Sequence, residues 1–322
     1  MDAVHVDCFG HALGERKTSV VESGQAGRLV SAAEDLASAG FAWHHRCDPG
    51  TTAYDLARLA VRQLPDRVFT AGLDAILYAT CLPGNGTVGD EAAWRSSRDV
   101  MHLMDYPASR LQADLGQPRA AVIGVTQQGC TGMLGAVRLA HALLVAEPEW
   151  QRVLCVTADR FPEGARYEHS YNLISDSAAA CVVAREPGRF RFVAAEQITN
   201  GGLHAATDDE TIGTYFSYTR ELVRQVLARA GLSASDLDWV VPQNTNRRAW
   251  QILSRLIGID AATVWQPTLP DNGHAISADT IVNLAELADS GRVRPGQRVL
   301  LVVAGYGLNW QAVLLEATEE CR

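Results

Sequence analysis

Residues 120–145 constrain the fold more than any other stretch of this chain. The run Ala120–Val125 has the length and unbroken apolarity of a buried strand, Gln127-Gln128-Gly129-Cys130-Thr131-Gly132 carries two turn glycines, and Met133–Val145 is apolar over a full helix. A strand, a tight turn and a helix in direct succession predict layered α/β packing with Cys130 at the junction. A thiol at that junction meets unpaired N–H groups and the positive end of the helix dipole, which favour the thiolate and suit a nucleophile. Gly129 and Gly132 remove side chains that would block a substrate carbonyl or forbid a strained turn. The other reading of a cysteine, a small buried hydrophobe, suits Cys155 in Val-Leu-Cys-Val and Cys181 in Ala-Ala-Cys-Val-Val.

The same alternation runs through the whole chain. Strands are predicted at Asp74–Ala79, Ala120–Val125, Arg152–Thr157 and Ala178–Ala184, with helices at Thr52–Leu64, Ser109–Leu115 and Met133–Ala146. The order then repeats: strands at Phe192–Gln197, Trp239–Pro242 and Val299–Ala304, helices at Ile212–Ala230, Arg247–Ile257 and Ser277–Leu287. The doubling predicts two similar halves, residues 1–185 and 186–322, meeting at the turn Arg185-Glu186-Pro187-Gly188-Arg189. At 322 residues the chain is large for one core, which agrees with two packed halves.

Composition excludes several classes. With 47% hydrophobic and 20% charged residues the chain is globular. A net charge of -9 and the lack of a basic run argue against a nucleic-acid partner. No charge-free apolar stretch reaches membrane-spanning length and the first residues do not read as a signal peptide, so a cytoplasmic location away from membranes is expected. Seven scattered cysteines without CxxC spacing fit reduced thiols and no metal site.

Five motifs in order resemble the thiolase-fold β-ketoacyl-acyl carrier protein synthase III enzymes. They are the Cys130 turn, Ser175-Asp176-Ser177-Ala178-Ala179, Val241-Pro242-Gln243-Asn244-Thr245-Asn246-Arg247-Arg248, Gly273-His274-Ala275-Ile276-Ser277-Ala278, and Gly305-Tyr306-Gly307-Leu308-Asn309-Trp310. The resemblance covers most of the chain and implies a five-layered αβαβα fold, an acyl thioester of phosphopantetheine or coenzyme A as substrate with no cofactor, and a homodimer. It also implies docking of an acyl carrier protein or coenzyme A at Arg248, where the neighbouring Arg247 adds positive charge, and an oxyanion hole from the backbone of Cys130 and Tyr306. Two exposed arginines beginning a helix is the plain alternative for the docking pair.

The departures carry the functional expectation. Condensing members of the resembled family use a histidine and an asparagine to stabilise the enolate left when a malonyl thioester loses carbon dioxide. Here Gln243 holds the histidine position, and His274, aligned through Gly273, holds the asparagine position; a shift of two residues would instead put Asn272 there. An amide donates a hydrogen bond but cannot act as an imidazole, while His274 brings a titratable base opposite Cys130. Asp279 lies five residues on, where a new helix starts, and is either an orienting partner for His274 or a helix cap, as is Ser277. The set Cys130, His274, Asp279 resembles a non-condensing acyltransferase offshoot of natural-product pathways.

The expectation is an acyltransferase that carries an acyl group on Cys130 to a hydroxyl, amine or thiol acceptor. A decarboxylating condensing enzyme and a non-catalytic subunit of a condensing heterodimer are the alternatives. His204 and Asn246 are candidate pocket residues, and His44-His45-Arg46 reads as a solvated cluster. The segments Pro83–Trp94 and Ile198–Tyr218 are expected to be loops lining the substrate tunnels, with Trp43, Trp94, Tyr215 and Phe216 in or near them.

Overall fold

The computed structural model describes residues 3–86, 89–205, 208–305 and 308–321. Nine strands form the main sheet: β1 His5–Leu13, β2 Ala75–Ala79, β3 Ala121–Val125, β4 Arg152–Asp159, β5 Ser177–Ala184, β6 Phe190–Thr199, β7 Trp239–Pro242, β8 Arg298–Gly305 and β9 Asn309–Ala317. Six helices matter for the argument: α1 Ala53–Val61, α2 Pro107–Asp114, α3 Gly132–Ala146, α4 Asp208–Ala230, α5 Arg247–Ile257 and α6 Asp279–Asp289.

The sheet runs β7-β8-β9-β6-β1-β5-β4-β2-β3. It divides into two runs with one pairing pattern. In β2-β4-β5-β1 the first pair is parallel and the next two antiparallel, and β7-β8-β9-β6 repeats this. Strand β3 extends the first run beside β2, and the only described counterpart beside β7 is a parallel bridge from Val240 to Val264. The runs join where His5 and Val6 of β1 pair with Arg191 and Phe190 of β6. The connecting turn falls at residues 185–189, as the Pro-Gly pair predicts.

Packing sorts the side chains into three apolar layers. Alternate residues of β2 split between them, Leu77 and Ala79 facing inward and Ile76 and Tyr78 outward. The inward set meets Met133, Leu134 and Val137 of α3 and Ile281 and Leu284 of α6, together with inward residues of the second run, such as Val299 and Leu301. Leu56, Ala57 and Ala60 of α1 and Leu111 of α2 cover the outside of the first run, while Leu222, Val226 and Leu253 from α4 and α5 cover the second. The order is helix, sheet, helix, sheet, helix. This is the thiolase-like αβαβα fold. Among the described residues, Gly129–Ala146 is the one stretch with the length and hydropathy of a membrane span, but half of it is buried and α3 packs against β4 and β2, as a core helix does.

Every predicted helix and strand is present. Sequence patterning missed β1 and β9. In β1 the alternation is broken at Cys8, whose φ of 55° accompanies a bulge between Asp7 and Gly10. In β9 the polar Asn309 and Gln311 are buried among apolar residues, and their partners come from the distant residues Thr199 and Gln128. Three expectations are corrected. Residues 83–94 are a loop only in part, because a helix over Glu91–Ser97 takes in Trp94. The described residues of 198–218 are not a loop but the end of β6, a short turn at Gly201–Ala205 and the first half of α4, where Tyr215 and Phe216 pack edge to face. His44 is not solvated: it is fully buried on the short strand Trp43–Arg46, bonded to Ser23 Oγ and the Ile174 carbonyl, each at 2.7 Å. Burial pushes its imidazole down to about 4, so it is neutral.

Candidate functional site

The parallel strands β2, β3 and β4 end on the same side of the sheet, as parallel geometry requires, and the β3 end delivers Cys130. Gln127 adopts a φ of 62° and Gly129 one of 52°, so the chain reverses sharply before a single 3-10 turn, Gly129–Thr131, leads into α3. Thr131 holds the turn by bonding its Oγ1 to the Gln128 carbonyl at 2.7 Å. Cys130 therefore sits one residue before the N-cap of a 15-residue helix and is half-buried. Gly305, at the end of β8, has to be glycine here: a Cβ would lie 2.8 Å from the Gln128 carbonyl oxygen and 3.0 Å from the Cys130 nitrogen. Tyr306 and Gly307, the second half of the expected oxyanion hole, lie outside the described residues.

His274 reaches the site from the second run. Its backbone N–H donates to the Leu173 carbonyl at 2.7 Å and its carbonyl accepts from Ser175 N–H at 2.9 Å, which pins it against the segment entering β5. Gly273, with φ 62°, makes that approach possible, since a Cβ would stand 2.7 Å from Leu173 O. The imidazole is 4% exposed, Nδ1 bonds Asp279 Oδ2, and Cys130 is a hydrogen-bond partner as well. With Nδ1 engaged, Nε2 is the atom that faces the thiol. Burial alone would lower the imidazole pKa, but the Asp279 charge and hydrogen bond, followed by those of Cys130, push it up to about 10.

Asp279 is 1% exposed and does not cap its own helix. The N-cap of α6 is Ala278, with no side-chain cap, and Ser277 bonds the Gly129 carbonyl at 3.1 Å instead. The Asp279 carboxylate accepts from Asn244 N–H at 2.8 Å and Ala275 N–H at 2.7 Å besides His274. Behind it, Asn244 donates to Thr268 Oγ1 and the Gly273 carbonyl, and Asn283 donates to Asn244 Oδ1, a buried network that ties the 243–245 and 273–279 segments together.

The remaining predicted residues lie further out. Gln243 is 6% exposed and its side-chain oxygen accepts from Ala304 N–H, so what it can offer a substrate is its NH₂. Asn246 caps α5 by accepting from Arg248 N–H at 2.9 Å, and Arg247 and Arg248 are exposed in the first turn of that helix. His204 falls on the turn Gly201–Ala205, with its side chain outside what the structure describes. Asn272 ends the short helix Leu269–Asn272 and serves through its carbonyl, which accepts from Ser175 Oγ.

Two residues that the sequence did not single out stand beside Cys130. Cys81 follows β2, and its thiol hydrogen-bonds Cys130. Asp159 ends β4 fully buried and accepts from the N–H groups of Cys81 and Leu82, all at 2.9 Å. Both were discoverable from the rule that parallel strands present their C-terminal ends to one site.

Comparison with known proteins finds the same architecture. Residues 126–201 match the family described as 3-oxoacyl-[acyl-carrier-protein] synthase III, and residues 227–317 match its C-terminal domain. A β-ketoacyl-[acyl-carrier-protein] synthase III from Chlamydia caviae is 30% identical over 59% of this chain and 65% of its own length. One from Rhodospirillum rubrum is 28% identical over 86% of this chain and 88% of its own. Among solved structures, the acyltransferase ChlB3 superposes with a TM-score of 0.82 at 21% identity, covering 99% of both chains. OleA from Xanthomonas campestris gives a TM-score of 0.75 at 18% identity over 98% of both.

Proposed function

Because the chain belongs to the 3-oxoacyl-[acyl-carrier-protein] synthase III family, we propose that it is the acyl-transferring rather than the condensing kind of such an enzyme, carrying an acyl group on Cys130. The observation that carries the reading is His274, held by Asp279 through Nδ1 and turned with its other edge to Cys130.

The resting pair is a Cys130 thiolate and a His274 imidazolium. The sulfur attacks the carbonyl carbon of an acyl thioester, and the oxyanion gathers at the Cys130 N–H beside Gly305. Collapse breaks the donor C–S bond, and the departing thiolate takes the imidazolium proton and leaves as a thiol. Having given its proton to the leaving thiolate, and with the Cys130 charge that helped hold that proton removed by acylation, the imidazole is left neutral. It takes the proton of an incoming hydroxyl, amine or thiol, which attacks the acyl-enzyme; expulsion of Cys130 as thiolate restores the resting pair. Asp279 keeps the proton on Nδ1 and steadies the imidazolium. The cycle needs an acyl carrier protein or coenzyme A donor and no cofactor.

A specific observation also favours decarboxylating condensation: the curated relatives named above are called synthases. Against it stands Gln243 with its oxygen already engaged by Ala304 N–H, which leaves the enolate one amide donor in place of an imidazole. Natural-product synthesis as the setting, docking at Arg247 and Arg248, a homodimer built on the outer edge of β3, which pairs with no other strand among the described residues, a cytoplasmic location and a division into residues 1–185 and 186–322 belong to the same proposal; the repeated strand order supports the division.

The test is intact mass after mixing the protein with acyl thioesters, then with labelled malonyl thioester. Transfer predicts an acyl adduct on Cys130 and no labelled carbon dioxide above a protein-free control. Rapid release of carbon dioxide with a β-ketoacyl product would replace this reading by the condensing one.

A further inference from the structure

Seven cysteines are present, and only two combine partial exposure with a place at the site. Cys155 and Cys181 also face each other, as register partners on β4 and β5, but both are fully buried in the central core. Cys81 and Cys130 are each half-buried. Leu77 and Ala79 of β2 point inward, and Cys81 follows two residues beyond Ala79, just past the end of the strand. Its placement is enforced: its N–H donates to both oxygens of Asp159, Leu82 N–H donates to one of them, and Asn85 Nδ2 reaches the same carboxylate at 3.1 Å. The inward position opposite Gly132 is tight, with a built Cβ there only 3.3 Å from Ala79 Cβ, so the ends of β2 and the Cys130 turn are packed together. The two thiols are hydrogen-bond partners across that contact.

We propose that Cys81 and Cys130 form an oxidisable pair, in which a peroxide converts Cys130 to its sulfenic acid and Cys81 closes an intramolecular disulfide that occupies the nucleophile. The Cys130 thiolate and one proton reduce the peroxide O–O bond, giving Cys130–SOH and water or an alcohol. The Cys81 sulfur then attacks the Cys130 sulfur; the S–O bond breaks, and the hydroxide leaves as water with the Cys81 proton. Thiols reverse the disulfide. The order follows from placement: Cys130 stands just before the N-terminus of α3 and against His274, whereas the Cys81 thiol, held above its usual range by Cys130 and by burial, has no such base beside it among the contacts described, so Cys130 meets the oxidant first. Once Cys130 is a neutral sulfenic acid, the anionic neighbour that suppressed Cys81 ionisation is gone. The step needs a nucleophilic Cys130 and does not depend on which acyl group the enzyme transfers.

The experiment uses the full chain without any acyl donor. Hydrogen peroxide is added, remaining thiols are alkylated and the protein is digested with trypsin. The inference predicts the Cys81 peptide, residues 68–95, joined to the Cys130 peptide, residues 120–138, with dithiothreitol restoring alkylation of both. Cys81→Ser has no resolving thiol, so Cys130 proceeds to the sulfinic and sulfonic acids and its recovery with dithiothreitol falls by about tenfold or more. Cys81→Ala repeats this variant if serine disturbs the fold. Unlinked peptides with Cys130 over-oxidised and Cys81 alkylated in the wild type would overturn the pair, as would equal recovery in the variants. Acyl loading in untreated protein is read separately, so loss of one result leaves the other standing.

Discussion

Asp159 and Asp279 make a controlled comparison inside one molecule. Both are 1% exposed and both collect backbone N–H groups, Asp159 from Cys81 and Leu82, Asp279 from Asn244 and Ala275. They differ in one partner. Asp279 also faces an imidazole, whereas Asp159 is completed by the Asn85 amide. The titratable groups around them act accordingly: His274 is driven up to about 10, while burial raises Asp159 itself to about 7. Carboxylate burial alone therefore does not mark catalysis. On the proposed mechanism, what marks it is a partner whose protonation the reaction can use.

The comparison is broken most severely at its far end. Cys130→Ala should abolish acyl loading and turnover together, because without a thiol neither carboxylate has chemistry to support; retained transfer by clean protein would remove the nucleophile from the scheme. His274→Ala should lower transfer by on the order of 10²–10⁴-fold, the usual span for loss of a general base, read from single-turnover decay of the acyl-enzyme. A smaller but sharper contrast comes from the same change made twice. Asp279→Asn should cost on the order of 10²-fold in turnover, since an amide neither holds the tautomer nor steadies the imidazolium. It should also lower the melting temperature, because its NH₂ would confront Asn244 N–H, a buried mismatch of about 1–3 kcal/mol. Asp159→Asn should show a similar loss of melting temperature with turnover within about threefold of wild type, as its partners are structural donors. Equal activity losses in the two variants would erase the distinction.

The finest difference is in pH. The folded imidazole titrates above its usual 6.5, so the His274 contribution to stability is whole below 6.5 and fades as pH climbs through about 10. The gap in melting temperature between wild type and His274→Gln should shrink over that interval. Asp159 is also raised, but it is an acid whose ordinary value is 3.8, so the folded state holds an extra proton between about 4 and 7 and loses stability as pH rises there. Asp159→Asn should flatten that slope, as followed by thermal melts across the interval.

Sequence legibility followed locality. The strand–turn–helix around Cys130 and the regular helices were readable because period and turn chemistry sit within a few residues of each other. His274 was readable through its alignment with the resembled family, and Asp279, five residues on at a helix start, left partner and cap equally open until that resemblance favoured the partner. The capping alternative failed on a long-range fact, the capture of the Asp279 carboxylate by Asn244, 35 residues away. Cys81 and Asp159 escaped notice for the same reason: 78 residues separate them, and only the parallel pairing of β2 with β4 brings them together. His44 read as polar and therefore wet, yet its partners, Ser23 and Ile174, lie 21 and 130 residues off.

The joint between the two strand runs has a consequence for how the enzyme comes into being. Ser277 reaches Gly129 across 148 residues, and the imidazole beside Cys130 arrives only with that segment. During synthesis from the N-terminus, the turn bearing Cys130 and its helix emerge well before His274 exists. A growing chain thus carries a thiol with no base and no aspartate behind it. On the proposed mechanism, reactivity is switched on only at assembly, when the second run docks.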